Sequence, residues 1–265
     1  MGIKQMPGSN NIVEGDNVNY NPESIIFQDN ANNNILVLES NLKLESSEIK
    51  FRGSNSIVFL RSNINTYKLR VEIFNNSAFY MGINNYINGT MQISLSEGKH
   101  IFFGNNGTFS FGIWVRNSDL HLIYLIKTMK RKNYSKSIFV GDHVWLGQHS
   151  TLLKGTQIAS GSIIGANSLI SNKKINSNTI WAGNPAKRIA KGVFWDGMCV
   201  NNWTDEQTEK FSSTEKDQFI FKYDVNEYLS FDEIDKQLTM CKTANHKMDY
   251  LVNISNIVSK NRFAF

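Results

Sequence analysis

Imidazole is the side chain whose ordinary pKa, near 6.5, lets it take up and release a proton at neutral pH. The five histidines of this 265-residue chain are therefore the first residues to weigh. His100 lies in an Asn-, Gly- and Lys-rich stretch, His246 lies near the C-terminus, and His143 and His149 flank Trp145. His121 ends the run Asn117-Ser118-Asp119-Leu120-His121, two residues after a carboxylate. Asp119 could orient its imidazole, although side chains two apart on a strand share a side without having to touch. No spacing among the histidines fits a metal site. Cys199 and Cys241 stand far apart without ligand spacing and read as reduced packing residues.

The segment 116–136 around His121 also concentrates charge. Arg116, Lys127, Lys130, Arg131, Lys132 and Lys136 stand there against the single acid Asp119, and this stretch accounts for the whole net charge of +5. A focused cationic patch suits a phosphate-bearing cofactor, an acidic polysaccharide or nucleic acid; a solvated basic loop is the plain alternative. Nucleic acid is disfavoured, because Tyr124 and Tyr134 alone interleave with the cations as a stacking platform would need. Hydrophobic content of 41% and charged content of 19% describe an ordinary folded chain. No run approaches the roughly 18 apolar residues of a membrane span. The first residues, Met1-Gly2-Ile3-Lys4-Gln5, lack signal-peptide organisation, so the expected setting is cytoplasmic.

A repeat of period six must position these groups. Val140, Leu146, Leu152, Ile158, Ile164 and Ile170 recur in step, with Gly141, Gly147 and Gly165 directly after three of them. Neither a helix nor a flat alternating strand gives that period, whereas a short strand plus a corner does. The aliphatic residue then points inward, and small or Asn residues take the corner. From 30 to 115 the pattern loosens into extended patches at 35–38, 57–60, 69–73, 79–83, 91–95, 101–103 and 109–115. Asn-rich corners at 32–34, 75–76, 84–85 and 105–106 separate them, since Asn tolerates positive φ. Less regular coils of one solenoid are expected here, with a flat β-sandwich as the alternative. After Gly192 helical signals appear, at Thr204-Asp205-Glu206-Gln207 and in the capping pattern Ser230-Phe231-Asp232-Glu233 ahead of Ile234 and Leu238. Residues 1–192 thus read as a β-solenoid with a loop excursion at 116–136. Residues 193–265 read as a mainly helical appendage, either covering the solenoid end or serving as a trimer clamp or acceptor platform.

Three stretches carry a more specific resemblance. They are 117–121, then Ser137-Ile138-Phe139-Val140-Gly141-Asp142-His143-Val144-Trp145-Leu146-Gly147, and finally Trp181-Ala182-Gly183-Asn184-Pro185-Ala186-Lys187-Arg188-Ile189. In order and spacing the chain resembles the hexapeptide-repeat O-acetyltransferases over roughly residues 80 to 192. It is most similar to capsule-modifying members of the meningococcal type, which act on polysialic acid. The resemblance implies a mainly β left-handed parallel β-helix, acetyl-CoA as cosubstrate without a metal, and His121 as the base that activates an acceptor hydroxyl. It implies that Trp145 lines the substrate pocket, with packing as the competing role. Acetyl-CoA would be held by Gly147, Lys154, Gly165, Ala166, Lys173, Pro185, Lys187 and Arg188. Lys187 and Arg188 are the choices for its phosphates. Backbone N–H groups at corners such as Gly147 or Gly165 would supply the oxyanion site. The expected oligomer is a homotrimer with sites between subunits. Lys127, Lys130, Arg131 and Lys132 would flank the entrance for a sialic acid-based acceptor, unless they serve the coenzyme. The apolar run Leu122-Ile123-Tyr124-Leu125-Ile126 would pack on a neighbouring chain. Two alternatives stay open: an N-acetyltransferase for a nucleotide-linked amino sugar, and a non-catalytic solenoid that binds an anionic polymer.

Overall fold

The computed structural model describes residues 2–5 and 9–265; Met1 and residues 6–8 lie outside it. The chain winds into a three-faced parallel β-solenoid. The first face stacks Ile12–Gly15, Ile35–Leu38, Ile57–Leu60, Ala78–Met81, Ile101–Phe103, Ile138–Val140, Gln157–Ile158 and Lys174–Ile175. The second carries Tyr86–Ile87, Thr108–Phe109, Trp145–Leu146, Ile163–Ile164 and Thr179–Ala182. The third runs from Ile25–Phe27 through Met91–Leu95 and Trp114–Arg116 to Thr151–Leu153 and Leu169–Ile170. Parallel pairing across every coil excludes the β-sandwich. An antiparallel pair, Thr179–Ala182 with Lys187–Lys191, ends the stack.

Two coil lengths explain the two textures of the sequence. Bonds between successive coils of the first half join residues 22 apart, as from the Ala78 N–H to His100 Nδ1. In the hexad region the step shrinks to 18, as from the Asp142 N–H to Ser160 Oγ. There Val140, Leu146, Leu152, Ile158, Ile164 and Ile170 all point inward and are fully buried. Asn33, Asn76, Asn84 and Asn106 adopt positive φ, between 55° and 59°, as expected of the Asn-rich corners. Asn side chains also bond between coils: the Asn34 amide donates to Gly53 O at 2.8 Å and to Asn11 Oδ1 at 2.9 Å.

First-face strands of the long coils are buried on both sides. Inward residues such as Leu36, Val58 and Phe79 fill the solenoid. Outward residues Val37, Phe59, Tyr80, Phe102 and Phe139 form a second core with the C-terminal segment. Helix α1 (Asp205–Lys210) starts in a complete capping box on Thr204 and Gln207, and α2 (Phe231–Met240) is capped by Ser230. Helix α3 (Ala244–Ser255) follows. Phe231 of α2 stacks on Phe139 at 5.2 Å, and the buried Arg262 forks onto Asp142 through bonds of 2.7 and 2.8 Å. The segment is therefore a strap along the first face and not a cover over the solenoid end, because the outward aromatics of that face need burial.

Candidate active site

After Arg116 the chain leaves the third face and returns at Ile138 on the first, so the next coil's bond joins residues 37 apart, Asn105 N–H to Asp142 Oδ1. The neck of the excursion is pinned to the coil beneath. Asn117 Oδ1 accepts from the Ser96 N–H at 2.9 Å, and Ser118 meets Ser96, hydroxyl to hydroxyl, at 2.6 Å. On the return, Glu97 accepts from the Ser135 hydroxyl at 2.6 Å and pairs with Arg131 at 2.7 Å. That guanidinium is the main reason the Glu97 carboxyl is held down at about 2. The tip is an ordered hairpin in which Leu125 N–H donates to Lys130 O and Lys132 N–H to Ile123 O.

His121 is exposed at the base of this hairpin, and Asn133 fixes its backbone. The Asn133 amide donates to His121 O at 2.7 Å and to Asp119 Oδ2 at 2.9 Å, while its Oδ1 accepts from the Ile123 N–H at 2.9 Å. Among the described residues no hydrogen bond joins Asp119 to the His121 imidazole. Its Oδ2 accepts from both Lys154 and Asn133, with Lys154 the main cause of its lowered pKa. Asn133 holds the His121 backbone carbonyl instead, and sequence reasoning passed over it because one more Asn carries no signal in an Asn-rich chain.

Three of the other histidines contact neighbouring groups through their rings. His143 is buried between the rings of Trp195 at 3.9 Å and Phe219 at 4.1 Å, both within 5° of parallel, and its Nε2 lies 3.0 Å from Trp195 O. Burial lowers its pKa. A residue at this hexad position would otherwise face outward, but Trp195 and Phe219 of the strap cover it. His100 is fully buried, and His149 lies edge-on to Phe111 at 4.9 Å.

Trp145 points outward from the second face, 40% exposed, with its ring 5.9 Å from that of Trp195. His121 rises from the edge between the third and first faces, so one chain alone keeps these two on different sides of the prism. The expected coenzyme residues are likewise spread out. Lys154 shares a cleft with Arg116, Asp119 and Leu120, and Lys173 lies 5.7 Å over the Trp181 ring. Lys187 and Arg188 are exposed on the terminal hairpin beyond the cis Asn184–Pro185 bond. Ala166 is exposed at a corner. The Gly147 and Gly165 N–H groups are not free for an oxyanion, since they bond to Ile164 O at 2.7 Å and Trp181 O at 2.8 Å. Gly147 is needed for packing: a Cβ there would meet Ala166 N at 2.6 Å. Of the loop cations, Arg131 is committed to Glu97 and lies 4.9 Å over Tyr134, while Lys127, Lys130 and Lys132 are exposed. No group of three or more His, Cys, Asp or Glu suited to a metal ion occurs among the described residues.

The sequence matches no protein-family model. A curated polysialic acid O-acetyltransferase of Neisseria meningitidis is 28% identical over 116 residues, 44% of this chain and 54% of the relative. The matched stretch spans about half that relative's length. The chain is similar to polysialic acid O-acetyltransferases. The solved structure of the polySia-specific acetyltransferase NeuO superposes with a TM-score of 0.61 at 23% identity, over 76% of this chain and 97% of that one. That of the polysialic acid O-acetyltransferase OatWY gives 0.58 at 24%, over 75% and 98%. The solenoid is thus the left-handed parallel β-helix of these acetyltransferases, as the sequence led one to expect. Among the described residues no helix is long and apolar enough to cross a membrane.

Proposed function

We propose that the protein is an acetyl-CoA-dependent O-acetyltransferase that modifies a hydroxyl of a sialic acid-based surface glycan, with His121 as general base. The observation that carries this reading is the hold of Asn133 on the His121 backbone, which presents an exposed imidazole at a fixed place on a pinned loop. His121 takes the proton of the acceptor hydroxyl as its oxygen attacks the acetyl carbonyl. The carbon–oxygen bond forms and the carbon–sulfur bond breaks; the imidazolium gives its proton to the departing sulfur, and coenzyme A leaves as the thiol. Exposed Lys187 and Arg188 offer a point charge and a planar fork to the coenzyme's phosphates. Small residues at Gly165 and Ala166 leave room for its pantetheine arm, beside Pro185. Lys127, Lys130 and Lys132 draw the acidic acceptor toward the loop. Dependence on acetyl-CoA is the reason to assign a cytoplasmic setting, with capsule as the product.

The same reading calls for a homotrimer. The hairpin exposes Leu120 at 72% and Ile126 at 94%, an apolar arm that a second copy of the chain would cover. Packing of this kind would bring Trp145 of the partner subunit to His121, which one chain keeps apart. The deciding experiment is acetyl transfer from acetyl-CoA to neutral and sialic acid-containing oligosaccharides, with product scored by mass and base lability. Base-labile acetate on acidic glycans is expected, reduced about 10²- to 10⁴-fold in kcat by His121→Ala. Undiminished transfer by that variant would remove His121 from the mechanism. A base-stable amide product would turn the reading toward an amino-sugar N-acetyltransferase.

A further inference from the structure

The outer surface of the third face carries a second feature unused by the mechanism above. A groove of about 270 Å³ there is lined by Arg70, Gln92, Trp114 and Arg116 among others. Register places Glu48, Arg70, Gln92 and Trp114 in one column across successive coils, all on the outward side. Trp114 is 49% exposed, an uncommon cost for so large an apolar ring in the middle of a sheet face. Both acids nearby are already neutralised, Glu48 by Lys50 at 2.8 Å and Glu72 by Arg52 at 2.7 Å. Among the described residues Arg70 and Arg116 have no ion-pair partner. Arg116 lies 6.0 Å from the Trp114 ring centroid, and Arg70 lies two coils away, about 10 Å at ordinary strand spacing.

An exposed indole between two unpaired guanidinium groups is suited to a sugar chain that carries carboxylates. The ring offers a flat face for the apolar side of a pyranose, and each arginine offers a fork for a carboxylate. Arg116 also lines the neighbouring cleft with Asp119, Lys154 and Leu120, the residue before His121 in the chain. The groove therefore leads toward the proposed reaction centre. We infer that Arg70, Trp114 and Arg116 form a distal acceptor track that binds further acidic sugar units of a chain whose end lies at His121. This inference rests on the sialic acid-glycan reading and deepens it.

The test compares oligomers of α-linked sialic acid, from a trisaccharide to a chain of about ten units, on wild type, Arg70→Ala and Trp114→Ala. Binding is measured by titration calorimetry without acetyl-CoA, transfer by acetyl incorporation, and oligomeric state by light scattering. The wild type should favour the long chain over the trisaccharide by about tenfold or more in Kd. Each variant should reduce that long-to-short ratio at least fivefold while keeping the wild-type oligomeric state. A ratio unchanged in both variants would overturn the track, as would loss of the ratio only together with dissociation of the oligomer. Absence of acetyl transfer by the wild type to any glycan would instead sink the proposed activity, and the binding ratios would still decide the track.

Discussion

Asn133 closes three bonds at once, to His121 O, Asp119 and the Ile123 N–H, and so does for the loop what a turn motif does elsewhere. As a positioning residue it should matter to kcat and little to binding. Asn133→Ala is expected to lower kcat by roughly one to two orders of magnitude with a KM for acetyl-CoA close to wild type, as steady-state kinetics would show. A change confined to thermal stability would leave it merely structural. Gly147→Ala tests a different residue-scale point. Its Cβ would strike backbone of the next coil, so a loss of about 1–3 kcal/mol in denaturant unfolding is expected. The sequence pointed to His121 through the run 117–121, and to Gly147 through the repeat. The partners of His121 were not legible, because bonds between a loop's two ends depend on a fold that brings residues 121 and 133 together.

At the scale of elements, legibility followed the number of buried sides. In the hexad region one fully buried aliphatic residue per hexad faces inward at a fixed step of six, with small or Asn residues at the corners, so the period shows in the chain. The first-face strands of the longer coils, such as Ile35–Leu38 and Ile57–Leu60, are buried throughout, and their alternation vanishes into short apolar runs. The caps of α1 and α2 were readable for the opposite reason, being local side-chain-to-backbone bonds. Where those helices pack depends on outward aromatics that the apolar runs concealed. The strap's last residues should be among its strongest fastenings. Arg262→Ala would leave Asp142 buried without its partner and is expected to cost about 3–5 kcal/mol in chemical unfolding. Phe231→Ala, which empties the seat on Phe139, should cost a comparable 3–5 kcal/mol.

For the molecule as a whole, the strap makes stability depend on pH through His100. This ring is buried between the first face and the strap, accepting from the Ala78 N–H at 3.1 Å through Nδ1 and facing the Thr239 hydroxyl through Nε2. Burial is the main cause that pushes its pKa down to about 3, with Lys247 and Lys99 adding to it. The unfolded ring, near 6.5, binds a proton that the folded ring refuses. Stability from this residue is therefore present above pH 6.5 and falls as pH drops toward 3, by up to about 1.4 kcal/mol per pH unit. Denaturant midpoints measured from pH 7 to pH 4 should fall less steeply in His100→Gln than in wild type.

Solenoids ordinarily behave as one-dimensional lattices in which each coil feels only its neighbours, so their ends fray and partial unwinding is cheap. In this chain the strap bonds to coils far apart along the stack. Lys247 donates to Asn55 O, Arg61 donates to Ser255 O, and Arg262 holds Asp142, several coils on. Opening any of those coils means detaching a segment that also grips the others. The lattice thereby gains a long-range coupling term, and its unwinding should resemble the all-or-none melting of a globular domain more than the sequential unzipping of a repeat array.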